Sequence, residues 1–343
     1  MTTPKKARVA IIGAGGISGA HAQGILQYAD KIECVALCDI SKENLERRSA
    51  QLGGVKALFT DWNEMYAKAG DTIDAVVICL PHQLHAPAIL DAAKNGKHIL
   101  CEKPMCISLA EADKIQAAVK ASGVMYMSAH DQLFIPIVQE AKKLIDAGWI
   151  GKLRWLRSQD CFFAGSGDGT GFRGKWRAKL ETQGGGELID TGYHPSYRLL
   201  YLAGSPVAEV RSTMGRFEQQ IEGEDTASVQ VRFENGVIGE ILTSWAMALP
   251  YGSYAIHASG DKGQLFGNGS DLYFLPRGFA EPAKLKLREI KSTYIEQMGY
   301  FADCLNLGKK PIHGPDEGRA VLELIIKATQ NADGWQATAP VKF

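Results

Sequence analysis

Short apolar runs alternate with amphipathic stretches along roughly the first third of the chain, a rhythm that predicts strands alternating with helices. Arg8 to Ile12 reads as a strand, and the helix after it places Ala22, Ile25, Leu26 and Ala29 on one face. Further strands are expected at Ile32 to Leu37, Ile73 to Leu80, Ile99 to Cys101 and Val124 to Ser128. Asp61 with Glu64 and Ser108 with Glu111 mark helix starts, and Gly96 marks a helix end. Strands that are apolar throughout are buried on both faces, so this part of the chain is an α/β, doubly wound parallel sheet.

From about Ile135 the pattern changes. One amphipathic helix, Pro136 to Ala147, is stopped by Gly148, and a polar-apolar alternation begins at Lys152. Strand-like runs follow at Val207 to Thr213, Thr226 to Phe233, Val237 to Ser244 and Tyr254 to Ser259, with a hairpin signal at Asn235-Gly236. Helices are expected near Tyr294 to Leu307 and Pro315 to Ala332. The expected division is a dinucleotide-binding domain over 1–128 and a mostly antiparallel α+β domain for substrate and oligomerisation over 129–343.

At 343 residues and 45% apolar, the chain has material for two cores. Its 38 basic residues balance 38 acidic ones, which argues against a nucleic-acid or membrane surface. With no long apolar segment the expectation is a soluble, cytoplasmic protein. The seven cysteines lack any CxxC spacing and read as reduced packing residues, not as a disulfide frame or a metal site.

The first strand ends in Gly13-Ala14-Gly15-Gly16-Ile17-Ser18 before a helix, the order that lays a pyrophosphate on a helix N-terminus. Gly13 permits the tight turn, Gly15 the close approach of phosphate, and Ser18 stands where a third glycine is usual. Asp39 follows about 20 residues further on, where an acid accepts from ribose hydroxyls and repels a 2′-phosphate. NAD is therefore favoured, with Lys42 leaving some room for NADP. The alternative for Asp39 is a cap on the helix starting near Ser41. At another strand end, Leu80-Pro81-His82 can touch cofactor; for His82 and His85, turn and helix-start packing is preferred over metal binding.

Glu102-Lys103-Pro104 ends the strand from Ile99, and a strand end in such a sheet faces the ligand crevice. Taken alone, the pair also fits a solvated strand end. In Gly184-Gly185-Gly186-Glu187-Leu188-Ile189-Asp190-Thr191-Gly192-Tyr193-His194, a helix begun at the glycines puts Asp190 and His194 on one face with Glu187 a turn earlier. A carboxylate and an imidazole so placed can bind a hydroxyl and move its proton; a helix cap followed by a core histidine fits as well.

The glycine turn with His21 after it, LPHQLHAPAI, HILCEKP, GGGELIDTGYH and EGRAVLELIIKAT together resemble the glucose-fructose oxidoreductase, inositol dehydrogenase and rhizopine-catabolism (Gfo/Idh/MocA) family over essentially the whole chain. The resemblance implies a Rossmann domain, an open-faced sheet domain and NAD(P)-dependent oxidation or reduction of sugars, polyols or inositols. It implies that Lys103 binds the reacting oxygen, Asp190 binds substrate and His194 is the acid/base, although Lys103 and His194 can exchange roles. Cofactor contacts are then expected at Gly13, Gly15, Gly16, Ile17, Asp39, Leu80, Pro81, His82, His85, Glu102 and Lys103, and at Trp176 and Arg177, which match a segment reaching towards the cofactor. Substrate contacts are expected at Lys103, Asp190, His194, Phe163 and Asp131. The chain departs from the family at Leu80-Pro81-His82, where Thr-Pro-Asn is common, and at Asp131 to Pro136, where an Asn-x-Arg-Phe-x-Pro stretch has its arginine replaced by Leu133.

Cys161 to Trp176, with Phe162, Phe163 and Phe172, reads as a mobile aromatic loop that stacks on a sugar, covers the site or packs a subunit. An uncovered sheet face points to a homodimer or homotetramer. Two other functions fit the same residues: an NAD-retaining glycoside hydrolase or lyase that oxidises its sugar transiently, and a non-enzymatic dinucleotide or metabolite sensor.

Overall fold

The computed structural model describes residues 6–165, 170–249 and 252–332. The chain forms two compact units. One comprises the chain through Gln139 with Glu181–Gly184 and Arg288–Leu322; the other comprises Glu140–Leu180, Gly185–Leu287 and the chain from Glu323 onward.

In the first unit, β1 (Ala7–Ile12), α1 (Ser18–Gln27), β2 (Ile32–Cys38), α2 (Lys42–Gln51), β3 (Ala57–Phe59) and α3 (Trp62–Ala69) alternate. β4 (Ala75–Ile78), α4 (His85–Lys94), β5 (His98–Glu102), α5 (Leu109–Ser122) and β6 (Tyr126–Ala129) continue the alternation. The strands pair in parallel in the order β3-β2-β1-β4-β5-β6. β1 and β4 are the neighbours at which the winding reverses, and ligands bind at the carboxyl ends of the strands flanking such a point. Every residue of β4 and β6 is buried, which is why these strands read as unbroken apolar runs. The expected caps form: Asp61 Oδ1 accepts from the Asn63 and Glu64 amides, and Ser108 Oγ from Glu111.

α6 (Pro136–Asp146) and β7 (Leu153–Cys161) follow, then α7 (Leu180–Gln183), α8 (Glu187–Asp190) and α9 (Tyr193–Ala203). β8 (Val207–Gly215), β9 (Thr226–Phe233), β10 (Ile238–Ser244), β11 (Ile256–Gly260), β12 (Gly263–Asn268), β13 (Asp271–Pro276) and β14 (Ala283–Leu285) complete an eight-stranded sheet. Its order is β14-β13-β12-β11-β7-β10-β9-β8, antiparallel except where β7 meets β10. One face buries Leu156, Ala227, Val229, Val231, Phe233 and Ile241, with α9 against β7 and β10. Trp155, Arg157, Gln230 and Arg232 alternate onto the other face.

α10 (Thr293–Leu307) and α11 (Pro315–Gln330) end the described chain. α10 packs on α1 through reciprocal glycines: a Cβ on Gly24 would lie 2.5 Å from Met298 Cβ, and one on Gly299 2.5 Å from the Tyr28 ring. Among the described residues no helix is long and apolar enough to cross a membrane.

Candidate active site

The glycine turn is built for close approach. Gly13 has φ +94°, and a Cβ there would lie 2.4 Å from the Cys79 carbonyl oxygen at the end of β4. Added Cβ atoms on Gly15 and Gly16 would meet nothing within 4 Å, so the space over the turn is open. The first intrahelical bonds run from Gly19 to Gly16 O and from Ala20 to Ile17 O, leaving the amides ahead of them at the positive end of α1. Ser18, in the third glycine's place, donates to Gly15 O at 2.7 Å and accepts from Arg48 Nε at 2.9 Å. Arg48 Nη2 also donates to Gly15 O, at 2.8 Å, from a guanidinium that is nearly fully buried. Burial and the neighbouring Arg47 charge lower the Arg48 pKa. No feature of KENLERRSAQ distinguishes Arg48 from the other charges of α2.

Asp39 accepts from the Ala14 amide at 2.6 Å and from the Ser41 amide at 2.8 Å. The cap of α2 is Ser41, whose Oγ accepts from the Asn44 amide. Asp39 is thus the acid at the tip of β2 that holds the glycine turn. Open space over two glycines, an exposed helix N-terminus and this carboxylate fit a dinucleotide with an unsubstituted ribose.

At the next two strand ends, histidines hold the loops. His82 Nδ1 lies 2.9 Å from the Gln183 carbonyl. The fully buried His85 ring sits between the carbonyls of Pro104 (2.6 Å) and Leu80 (2.8 Å), tying the Leu80-Pro81 loop to the Lys103-Pro104 corner. Both of its nitrogens face backbone carbonyls, and the neutral ring donates to one of them, so it holds the loop. Burial lowers its pKa.

Lys103 is half-buried beside Glu102, which is buried and bonded to His21. Asp131 is buried as well: burial pushes its carboxyl up to about 6, against the lowering influence of the Thr293 hydroxyl that donates to it at 2.7 Å. The Glu102, Lys103 and His21 charges all act on it. Leu133, in the place of the common arginine, is buried.

In the second unit the expected single helix through Asp190 and His194 is interrupted. α8 ends at Asp190 and α9 starts at Tyr193, with the Gly192 amide bonded back to Glu187 O. Gly192 is required there, since a Cβ would lie 2.7 Å from Leu188 Cα. Asp190 is buried and receives Arg177 Nε at 2.6 Å; the Arg177 guanidinium also lies 4.3 Å over the Trp176 ring. His194 Nδ1 is 2.8 Å from the Tyr197 hydroxyl, which fixes the ring so that Nε2 is its other face. Glu187 accepts from Thr243 at 2.5 Å, and burial raises its pKa well above the usual carboxylate range. Thr191 accepts from Trp245 Nε1 at 2.7 Å, and Trp245 packs on Phe172 with ring centroids 4.4 Å apart. Phe163 is exposed. Residues 166–169 of the expected aromatic loop lie outside the described residues.

Sequence reasoning missed Arg48, the Thr293 hydroxyl on Asp131, the Tyr197 hydroxyl on His194 and the Arg177 pairing of Asp190. Only the Tyr197 contact had a local signal, its i+3 spacing from His194 on one helix.

Comparison with known proteins places these features in a family. Residues 7–130 match a model described as an oxidoreductase family with an NAD-binding Rossmann fold, and residues 138–266 match the GFO/IDH/MocA C-terminal domain. The scyllo-inositol 2-dehydrogenase (NAD(+)) of Bacillus subtilis is 29% identical, over 94% of this chain and 93% of its own. The myo-inositol 2-dehydrogenase of Thermotoga maritima is 25% identical, over 95% and 96%. Among solved structures, the WlbA dehydrogenase of Bordetella pertussis, in complex with NADH and UDP-GlcNAcA, superposes with a TM-score of 0.81 at 25% identity, covering 98% of this chain and all of its own. With matched domains accounting for most of its length, this chain belongs to the GFO/IDH/MocA family of NAD-binding oxidoreductases.

Proposed function

We propose that the protein is an NAD-dependent dehydrogenase acting on a secondary hydroxyl of a cyclic polyol or sugar, with inositols the first class to test. The observation that carries this reading is the placement of Lys103 at the carboxyl end of β5, in a sheet whose β1 ends in the open glycine turn. The two inositol dehydrogenases, each similar over nearly its whole length, support the substrate class.

When bound, the nicotinamide supplies the hydride acceptor. Lys103 hydrogen-bonds the reacting oxygen and stabilises the negative charge that develops there. His194 takes the hydroxyl proton on Nε2, while Tyr197 holds Nδ1. Asp190, oriented by Arg177, accepts from a substrate hydroxyl. Asp39 excludes a 2′-phosphate by charge and favours NAD. The sheet face that carries Trp155 and His257 in edge contact and Arg157 over Trp155 is the surface through which two or four copies associate.

The test is nicotinamide reduction across inositols, linear polyols and aldoses, with NAD and NADP in parallel. The expected result is reduction of NAD by one cyclic polyol or sugar class, with turnover lowered about 10²- to 10⁴-fold in Lys103→Ala. Full activity in Lys103→Ala, or NAD binding with no turnover on any of these classes, refutes the reading.

A further inference from the structure

His21 stands one turn into α1, the helix whose N-terminus forms the glycine turn, and it is fully buried. Its Nε2 lies 2.7 Å from Glu102 Oε1 across 81 residues of sequence, and the Glu102 side chain is only 9% exposed. The Tyr294 ring of α10 meets the imidazole edge-on at 5.7 Å and 81°.

We propose that His21 is a positioning residue for Lys103: the imidazole seats the Glu102 carboxylate and so fixes the strand end from which the neighbouring ammonium projects. The inference rests on the reading of Lys103 as the group at the reacting oxygen. It adds that α1 serves both ends of the site, with its first amides facing the dinucleotide turn and its second turn holding the lysine corner.

Three arguments converge. A buried ion pair is a poor source of stability, because desolvation offsets most of its attraction, so its location has to be explained otherwise. Glu102 is the last residue of β5 and the peptide neighbour of Lys103, so a bond that ties its side chain to α1 restrains the backbone from which Lys103 leaves the strand. The electrostatics on the imidazole also favour the contact. Burial opposes protonation of His21, but the Cys79 sulfur and the Glu102 carboxylate outweigh it and raise the imidazole above its ordinary value. The charged or titratable groups around the pair are Cys79 at the end of β4, Arg48 of α2 acting on Cys79, His85 of α4, Cys101 of β5, Asp131 after β6, Tyr294 of α10 and Lys103 itself.

The experiment compares His21→Leu, His21→Gln, Glu102→Gln and Lys103→Ala in the full-length protein, using the polyol substrate and NAD. Readouts are kcat, KM and the NAD dissociation constant by equilibrium titration. His21→Leu is expected to lower kcat about 10- to 100-fold, with NAD affinity within about threefold of wild type. His21→Gln, which keeps a donor for Glu102, is expected to recover most of that loss.

Rescue, and the split between kcat and NAD affinity, separate positioning from simple folding. A folded His21→Leu with lowered kcat, NAD affinity kept and kcat recovered in His21→Gln supports the inference; a folded His21→Leu with wild-type kcat overturns it. If His21→Leu fails to fold, ring nitrogen resonances of the otherwise wild-type protein decide. A protonated Nε2 whose resonance moves in Glu102→Gln supports the contact, and an unprotonated Nε2 overturns it. Failure of the underlying reading looks different: Lys103→Ala then stays fully active whatever His21 does.

Discussion

Asp131 offers the most quantitative test. It sits where many family members carry asparagine, and the structure buries it against Thr293, with its carboxyl raised from 3.8 to about 6. Burial is the leading cause, with the Glu102 charge adding to it and the Thr293 hydrogen bond, Lys103 and His21 opposing it. Because the folded state holds this proton more tightly than the unfolded chain, the stability it contributes is complete below about pH 4 and is lost as pH rises through 6. The gap of about two pKa units corresponds to about 3 kcal/mol in total. Of this, about 1.4 kcal/mol is lost between pH 5 and pH 8.

Asp131→Asn removes the titration while its amide oxygen can still accept from Thr293. The variant is therefore expected to gain on wild type by about 1.4 kcal/mol on going from pH 5 to pH 8. Urea unfolding of both proteins at the two pH values, followed by circular dichroism, reads this difference, in which the titrations common to both proteins cancel. A stability gap that is the same at pH 5 and pH 8, or one that favours wild type at pH 8, refutes the assigned burial and its sign.

Two glycine substitutions separate folding from cofactor binding. Gly13→Ala forces a side chain into φ +94° and onto the Cys79 carbonyl, and is expected to cost about 2–3 kcal/mol or more in a thermal or chemical melt. Gly15→Ala places its methyl in open space and is expected to melt as wild type while binding NAD at least about tenfold more weakly by calorimetric titration, a loss of about 1.4 kcal/mol. Arg177→Met strips a charge-assisted hydrogen bond from the buried Asp190; about 1–2 kcal/mol of stability and a raised KM for the polyol are expected, with NAD affinity measured alongside.

Features that short-range rules encode are legible along the chain. Apolar runs of four to six residues fix parallel strands because such strands are covered on both faces, and Gly13 fixes the turn because only glycine takes that backbone angle without strain. Asp61 and Ser108 announce helix starts through bonds to amides two or three residues away. Asp39 was legible as the acid at the tip of β2; that it also accepts from the Ala14 amide was not.

Other features arise from groups far apart in the chain, which meet only on packing. Thr293 reaches Asp131 across 162 residues, and α10, remote in sequence, packs in the first unit because Gly24 and Gly299 let two helices touch. Nothing around Arg48 marks it as the one α2 cation turned inward onto Gly15, since a helix pattern gives the face and not the partner. The break between Asp190 and His194 likewise follows from Gly192 lying against Leu188, a steric fact of packing that helical spacing alone leaves open. Local periodicity specifies which elements form; which buried charges meet is settled only when those elements pack, because an unsatisfied charge in the interior costs far more than any local preference can supply.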